Sequence, residues 1–228
     1  MARIFFTVIF LIFAMNSFAN DKSFYGFKWL DDDETVYVIQ NKEYPKAKRI
    51  GVDLSYVNSD STAYQNTAGL VAAITYYFNE EYSLDVTYKI YSNSNNRDIE
   101  SLLNQNSIKP LVRVIDSALL IHFNWIPFYG KLNMLNKILY MDWGIGIGAG
   151  QFTSKSNYKT FEDTSPFLLQ PEDNVGINIR SFFKFYMSRK WNFGFEYHST
   201  GVQAITSSAL NEEIIWFNDV MLTIGYMF

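Results

Sequence analysis

The chain has 228 residues, no cysteine and a formal net charge of −4. The lack of cysteine excludes a disulfide scaffold and a thiolate metal site, and the acidic balance argues against a nucleic-acid-binding surface. Aromatic residues make up 18% of the chain, although its mean hydropathy is only −0.07. This combination is typical of a membrane β-barrel, whose strands each give a weak hydrophobic signal.

The first 19 residues have the order of a secretory signal peptide. Arg3 precedes an apolar run over residues 4–15, and the small residues Ser17 and Ala19 occupy the positions before the predicted cleavage site. The apolar run is shorter than the roughly 20 residues of a transmembrane helix. We therefore expect residues 1–19 to be removed during secretion.

Residues 20–47 form a predicted periplasmic segment before the first strand. They contain several aromatic residues and an acidic run from Asp31 to Glu34. Three interpretations are open: a linker, a plug folded into or under the barrel mouth, and a contact for a periplasmic partner.

Eight stretches of alternating apolar and polar residues follow and make up the predicted barrel domain, residues 48–228. A period of two residues is the spacing of a strand with one apolar and one polar face. Each stretch is near or above the roughly 9–11 residues that a tilted strand needs to cross a bilayer. The predicted strands are 48–58, 66–78, 82–92, 110–125, 138–152, 174–188, 190–200 and 216–228.

The connections between these strands alternate in length. Short turns are predicted at 79–81 and 189–190 and a moderate turn at 126–137, whereas the long polar loops include 93–109 and 153–173. Outer-membrane barrels have short periplasmic turns and longer external loops. We therefore expect both chain ends on the periplasmic side, and the two long loops outside, where they offer a surface to an external ligand.

The two faces of the predicted strands differ in polarity. In the seventh strand, Trp191, Phe193 and Phe195 share one face, while Glu196 and His198 share the other. A soluble β-sandwich buries its apolar faces against each other and gives no reason for charges to converge on the opposite faces. A closed barrel in lipid pairs its backbone groups internally and accepts an apolar exterior. The predicted fold is all-β, an eight-stranded antiparallel up-and-down transmembrane β-barrel surrounded by outer-membrane lipid.

Charged side chains on the inward faces form a predicted polar cluster in the barrel interior. An eight-stranded barrel is just wide enough for side chains to fill it, and charges packed there must pair. We expect Arg180 close to Glu196 and His198, and Asp142 close to His122. The cluster is interpreted as a structural polar core, with a proton or small-ion path as the alternative. Its predicted members are Asp53, Asp85, Lys89, Asp116, His122, Asp142, Arg180, Lys184, Glu196, His198 and Asp219.

Aromatic side chains concentrate near the ends of the predicted strands. Two belts of aromatic rings at the membrane interfaces are typical of such barrels. The predicted belt residues are Phe78, Tyr82, Trp125, Trp191 and Phe228 beside the short turns and the chain end, and Tyr56, Phe152 and Trp216 near the long loops.

The glycine-rich stretch GIGIGAG, residues 144–150, resembles a dinucleotide-binding loop only superficially. That loop lies between a strand and a helix, whereas these glycines recur at every second residue of a predicted strand. We expect them to line the inner face and leave room for larger side chains opposite. No cofactor and no metal ion are expected.

The residues near the last strands include the types found in a catalytic triad. Eight-stranded lipid A deacylases carry a serine, a histidine and a glutamate in this part of their chains. The chain offers His198, Ser199 or Thr200, and Glu212 or Glu213, and a triad needs these groups within hydrogen-bond reach. Strand parity argues against such a triad, because the adjacent residues His198 and Ser199 face opposite ways and His198 points into the lumen, away from the lipid. We therefore expect no enzymatic activity.

The chain ends on Phe228 after an alternating stretch that contains Tyr226. This end resembles the β-signal that the outer-membrane assembly machinery reads in its clients, with Tyr226 and Phe228 as the assembly signal. The stretches VYVIQNKEYPKAKR (36–49) and NWIPFYGKLNMLNKILYMDWGIGIGAG (124–150) resemble a family of small outer-membrane β-barrel proteins described mainly from myxobacteria and related deltaproteobacteria. The resemblance implies a fold and a location, but no catalytic residues, because that family has no assigned activity.

The sequence thus predicts an integral outer-membrane barrel with a structural or surface-interaction role. Its expected partners are membrane lipid, the assembly machinery and an external ligand of the loops 93–109 and 153–173, with no nucleic acid. The alternatives are a narrow channel for ions or small solutes and a lipid A-modifying enzyme.

Overall fold

Eight antiparallel strands close into a ring in which each strand pairs with its two neighbours in sequence and the first pairs with the last. The computed structural model describes residues 42–60, 64–105, 110–134, 137–157, 168–205 and 212–228. The predicted fold class is confirmed. The predicted signal peptide 1–19 and residues 20–41 lie outside the described residues. The strands are β1 Ile50–Asp60, β2 Gln65–Tyr77, β3 Tyr82–Asn95, β4 Arg113–Met134, β5 Lys137–Ser156, β6 Gln170–Tyr186, β7 Trp191–Ile205 and β8 Glu212–Met227, with one helix, α1 Arg97–Gln105, between β3 and β4.

The outer face of the barrel is apolar. In β1 buried and exposed residues alternate along the whole strand, so that Val57 is 0% exposed while Leu54 is 61% exposed. Large apolar side chains are turned outward in the same way on all eight strands. The closed ring pairs the backbone groups of the strands, so such a surface is stable in lipid and not in water.

Tight turns lie at one end of the barrel, which we call the turn end; the opposite end is the loop end. Between β2 and β3, the Asn79 side-chain oxygen accepts hydrogen bonds from the backbone N–H groups of Glu81 and Tyr82, at 2.8 and 2.7 Å. Between β6 and β7, the Ser188 hydroxyl accepts one from Trp191 at 3.0 Å. Such side-chain to backbone bonds are why asparagine and serine favour turns.

The connection between β4 and β5 differs from the prediction. The moderate turn predicted at 126–137 is wrong, because both strands continue through this region and pair from Phe128↔Trp143 to Met134↔Lys137. The register shifts between Trp125 and Phe128, at a bulge that contains Pro127. Proline cannot donate a backbone hydrogen bond and is tolerated at bulges. Because β4 and β5 stay paired as far as Met134↔Lys137, the ribbon extends beyond the barrel wall at the turn end.

The helix α1 was not predicted, and it lies inside the predicted loop 93–109. Asn96 caps it, because its side-chain oxygen accepts hydrogen bonds from the N–H groups of Asp98 and Ile99, each at 3.1 Å. Ile99 is fully buried in an apolar cluster with Val112 and Val114. Among the described residues, no helix is long and apolar enough to span a membrane.

Most predicted belt residues are turned outward at the barrel ends, as their exposure shows. Phe152 is the exception: it is 1% exposed and belongs to the apolar interior. The error has a simple cause, since Phe152 follows Gly150 at a spacing of two and therefore continues the inward row of β5. The outward members are Phe78, Tyr82, Trp125, Trp191 and Phe228 at the turn end, and Tyr56 and Trp216 at the loop end.

Candidate functional site

The inward faces of the strands bring the predicted polar residues into the barrel lumen. All of them except Asp116 are at most 8% exposed. A buried charge is stable only with a partner that compensates for its lost hydration, so the contacts of each charge decide what the lumen can do. The buried members are Asp53, Asp85, Lys89, His122, Asp142, Arg180, Lys184, Glu196, His198 and Asp219.

Asp85 is the centre of this network. Its Oδ2 contacts Arg180 Nη2 in an ion pair and accepts a hydrogen bond from Asn124 Nδ2 at 2.8 Å. Its Oδ1 lies 2.9 Å from His122 Nδ1 and accepts a hydrogen bond from the Thr87 hydroxyl at 2.8 Å. Both carboxylate oxygens are therefore satisfied by four side chains from strands β3, β4 and β6.

A second group of charges joins Asp85 through Arg180. Arg180 Nη1 lies 3.7 Å from Glu196 Oε2, and the same oxygen lies 3.2 Å from His198 Nε2. The other ring nitrogen of His198 lies 3.1 Å from Lys89 Nζ, which forms an ion pair with Asp219 at 2.8 Å. Arg180 and His198 also face each other in the β6–β7 register, in the arrangement expected from the sequence.

Two further ion pairs lie nearer the turn end. Lys184 Nζ is 2.6 Å from Asp53 Oδ2 and donates to the Tyr77 hydroxyl at 3.3 Å. Lys46 Nζ is 2.5 Å from Asp142 Oδ2. The prediction that Asp142 lies near His122 is wrong, because β4 and β5 pair His122 with Gly148 and place Asp142 opposite Tyr129 on the extended ribbon.

The partner of Asp142 comes from the entry segment, as we call Lys42–Arg49. Lys46 is only 1% exposed, and its burial lowers the pKa of its ammonium group, an effect that Asp142 opposes. The Tyr44 ring stacks on Tyr186 with 5.4 Å between centroids and meets Tyr140 edge-on at 5.1 Å. The entry segment thus fills the turn end of the barrel.

Backbone contacts hold the entry segment in place. Glu80 Oε1 accepts hydrogen bonds from the N–H groups of Lys46 and Ala47, at 3.0 and 2.9 Å. The Arg49 guanidinium donates to the backbone oxygens of Met227 and Phe228, at 3.1 and 2.9 Å. For residues 42–47, these contacts support the plug interpretation of the predicted periplasmic segment over that of a linker.

Apolar layers separate the central network from both ends of the lumen. Toward the loop end, Leu120, Phe152 and Met221 are 0, 1 and 1% exposed. Toward the turn end, Phe182 and Tyr186 pack beneath the network. The loop-end layer comprises Val57, Val71, Tyr91, Ile115, Ala118, Leu120, Phe152, Val202, Phe217 and Met221, and the turn-end layer comprises Tyr77, Ile126, Phe182, Tyr186 and Met227 with Tyr44 and Tyr140 packed against it.

The glycines of β5 make room for the network, as the sequence predicted. A Cβ atom on Gly146 would overlap Asn124 Oδ1, and one on Gly148 would overlap the His122 ring. The β5–β6 register sets Gly146 opposite Arg180. The stretch is a row of inward positions on a strand and has none of the helix contacts of a dinucleotide-binding loop.

Asp116 corrects the predicted cluster. A register shift between Ile115 and Ser117 displaces Asp116 from the inward row, and its neighbour Ile115 is buried in the apolar interior instead. Asp116 instead pairs with Lys155 at 2.5 Å, and both side chains are partly exposed. An exposed pair of this kind contributes only about 0–1 kcal/mol to stability.

The fold separates the residues that a catalytic triad would require. His198 points into the lumen, whereas Ser199 is turned outward and donates to Asn218 Oδ1 at 3.1 Å. Thr200 is buried and accepts a hydrogen bond from Asn178 Nδ2 at 2.7 Å. In the β7–β8 register, Glu212 and Glu213 lie opposite Ile205 and Ala204, and Ala204 is roughly 20 Å along the strand from His198. Within the described residues, no cluster of three or more His, Asp or Glu side chains is arranged to hold a metal ion.

No protein family model matches the chain, and no curated protein matches it. Among solved structures, the chain is similar to the attachment invasion locus protein Ail of Yersinia pestis, with 10% identity over 79% of this chain and 97% of that chain and a TM-score of 0.42. It is also similar to the N-terminal β-barrel domain of Pseudomonas aeruginosa OprF, with 10% identity over 80% and 98% of the two chains and a TM-score of 0.42. A third similar structure is Neisserial surface protein A, with 7% identity over 78% and 94% and a TM-score of 0.42. The fold assignment rests on the strand pairing of the chain itself.

Proposed function

We propose that the protein is an integral outer-membrane β-barrel with a structural or surface-interaction role and no enzymatic activity. The observation that carries this proposal is the filled lumen, in which paired charges lie between two layers of packed side chains. Because the lumen formed by the described residues has no room for a ligand or a solute, a partner would have to bind to the outer surface. The loop end is the proposed external face. It carries α1 and the predicted loops 93–109 and 153–173, whose first or last residues continue strands β3, β5 and β6, and these loops are the proposed contact for an external ligand.

Several features support the location in the outer membrane. The apolar outer face requires lipid, and an outward aromatic belt lies at the turn end, as in barrels of this class. The sequence adds the predicted signal peptide 1–19 and the terminal pattern of Tyr226 and Phe228 that the assembly machinery is proposed to read. Membership of the myxobacterial family of small barrels stays a prediction from the stretches 36–49 and 124–150.

The packing of the lumen argues against the alternative function, a narrow channel. A continuous water path would have to pass Leu120, Phe152 and Met221, which pack together in the loop-end layer. At the other end it would have to pass the entry segment, where the buried Lys46 pairs with Asp142. Moving an ion between the apolar side chains of Leu120, Phe152 and Met221 would cost its hydration without a polar group in exchange.

Conductance in a planar bilayer tests this proposal. The purified wild-type protein is expected to give no single-channel steps, because its lumen is closed by packed side chains. A control variant, Leu120→Ala with Phe152→Ala, removes part of the loop-end layer and is expected to give more current than the wild type. Regular conductance steps from the wild-type protein would contradict the closed lumen and favour the channel.

A further inference from the structure

A polar groove of about 630 Å³ lies at the loop end, on strands β1, β2 and β3. Unlike the lumen, it includes outward positions of these strands and is open to the surroundings of the barrel. It is lined by Asn58, Ser59, Asp60, Gln65, Asn66, Thr67, Ala68, Ser92, Ser94 and Asn96.

The groove owes its shape to a small residue between longer ones. The strand registers place Ala68 directly between Asn58 on β1 and Ser92 on β3, and all three positions share the outward face. The next outward pair toward the loops is Asn66 with Ser94. Cross-strand neighbours on one face lie about 5 Å apart, so the alanine methyl forms a floor between polar walls.

The outward polar groups of the groove are available to a ligand. Within the described residues, the side chains of Asn58, Asp60, Asn66 and Ser92 form no hydrogen bond or ion pair. The inward Gln65, by contrast, donates to Asn95 Oδ1 at 2.6 Å. Amide and hydroxyl groups both donate and accept hydrogen bonds, which is the chemistry that the hydroxyls of a sugar require.

The charge of the lining narrows the class of ligand. None of the lining residues is Lys, Arg or His, and Asp60 is the single carboxylate among them. Phosphate and sulfate groups are recognised by cationic side chains, so the groove is not suited to an anionic ligand. Its donors and acceptors suit the hydroxyl groups of an uncharged sugar.

The height of the groove indicates where that sugar comes from. The row directly below Asn58, Ala68 and Ser92 consists of Tyr56, Leu70 and Ile90, which are 53, 59 and 54% exposed and belong to the apolar outer face. Consecutive outward residues of a strand are about 6.6 Å apart along it. The groove therefore begins where the apolar surface ends, at the level of the lipid headgroups.

We propose that this groove binds the neutral sugar units of an outer-leaflet glycolipid. The inference rests on the proposed orientation, with the loop end on the outside. The hydroxyl groups would bond to Asn58, Asn66 and Ser92 over the Ala68 floor, while the acyl chains would lie along Tyr56, Leu70 and Ile90.

The test is binding of a defined probe to the purified protein in neutral detergent micelles. The probe is the neutral hexose part of a rough lipopolysaccharide core, without its phosphates and acidic sugars. Its binding is followed by saturation-transfer difference NMR. Ala68→Leu fills the floor of the groove and is expected to weaken binding about tenfold, which corresponds to about 1.4 kcal/mol. Ala149→Leu is the matched control, because Ala149 is also outward and exposed but lies on β5. Asn58→Ala removes polar groups without filling the floor and is expected to weaken binding as well.

The outcomes separate the proposal from its competitors. Binding should be insensitive to ionic strength between about 0.05 and 0.5 M, because no charge pair is involved, and intact lipopolysaccharide should displace the probe. Absent binding by the wild type, equal binding by Ala68→Leu, or salt-sensitive preference for a sulfated polymer would each overturn it. Failure of intact lipopolysaccharide to compete would also do so, since a free glycan would then be the ligand. Micelle binding does not depend on cellular location, so this result is independent of the outer-membrane proposal.

Discussion

Asp85→Asn is expected to lower the free energy of unfolding of the barrel by about 3–5 kcal/mol, the cost of leaving one partner of a buried ion pair uncompensated. Asp85 is 1% exposed, and both its oxygens are engaged by Arg180, Asn124, His122 and Thr87. The substitution keeps the size of the side chain but leaves the buried Arg180 charge, among the described carboxylates, with the more distant Glu196 alone. The measurement is urea unfolding of the refolded protein in lipid vesicles.

Two further variants separate the ion pair from other effects. Asp85→Asn combined with Arg180→Met removes both charges and is expected to recover most of the lost stability, because a buried pair replaced as a whole is often neutral. Asp116→Asn is the matched control: its pair with Lys155 is partly exposed, so the expected loss is only about 0–1 kcal/mol. Equal losses for Asp85→Asn and Asp116→Asn would mean that the lumen does not hold a stabilising ionic network.

Phe228→Asp is expected to abolish most outer-membrane assembly in cells while leaving refolding in detergent nearly unchanged. The Phe228 side chain is 68% exposed, and its ring meets Tyr226 edge-on at 4.9 Å. The backbone contacts of Phe228, with Ile50 and Arg49, are independent of the side chain. A charge on the lipid face near the interface costs about 0–1 kcal/mol, which is too little to prevent folding.

Two yields distinguish a role of Phe228 in recognition from a role in stability. Outer-membrane yield in cells and refolded yield in detergent are measured for Phe228→Asp beside Tyr82→Asp. Tyr82 is an aromatic residue exposed at the same end but distant from the last strand, so both of its yields are expected to change little. If the refolded yield of Phe228→Asp falls as far as its cellular yield, the terminal ring serves stability and is not a recognition signal.

Strand parity was sufficient to predict the barrel and most of its lumen. In β6 and β7, unbroken alternation carries Arg180, Lys184, Glu196 and His198 inward, because a strand without bulges turns every second side chain to the same face. The glycine row opposite Arg180 was predictable for the same reason. Alternation predicts whether a side chain faces inward or outward. In a narrow closed barrel, an inward side chain has few possible neighbours, so its contacts are nearly determined as well.

Irregular positions account for the errors. One inserted residue shifts the register of a strand and changes the face of a side chain, which is why Asp116 was misassigned. The turn predicted at 126–137 is in fact a bulge followed by a longer ribbon, and this error misplaced Asp142. The helix α1 had a local signal, an asparagine followed by acidic residues, that could have been recognised.

Lys46 could not have been assigned to the lumen from local pattern. It lies outside the alternating strands, between Pro45 and Ala47, and its burial results from contacts with residues far along the chain. Asp142 is 96 positions away in sequence. Such a pair depends on how the ends of the barrel meet, which neither period nor composition encodes.

Labelling of single cysteines in intact cells tests the central claim, an outer-membrane barrel with its loop end outside. The chain has no cysteine, so Ser101→Cys on α1 and Glu81→Cys in the β2–β3 turn each give one reporter, and both positions are exposed. A maleimide coupled to a polymer too large to cross the outer membrane is added before and after that membrane is permeabilised. We predict that Ser101→Cys is labelled in intact cells and Glu81→Cys only after permeabilisation. Labelling of Glu81→Cys alone in intact cells, or of neither variant until the inner membrane is also broken, would contradict the account.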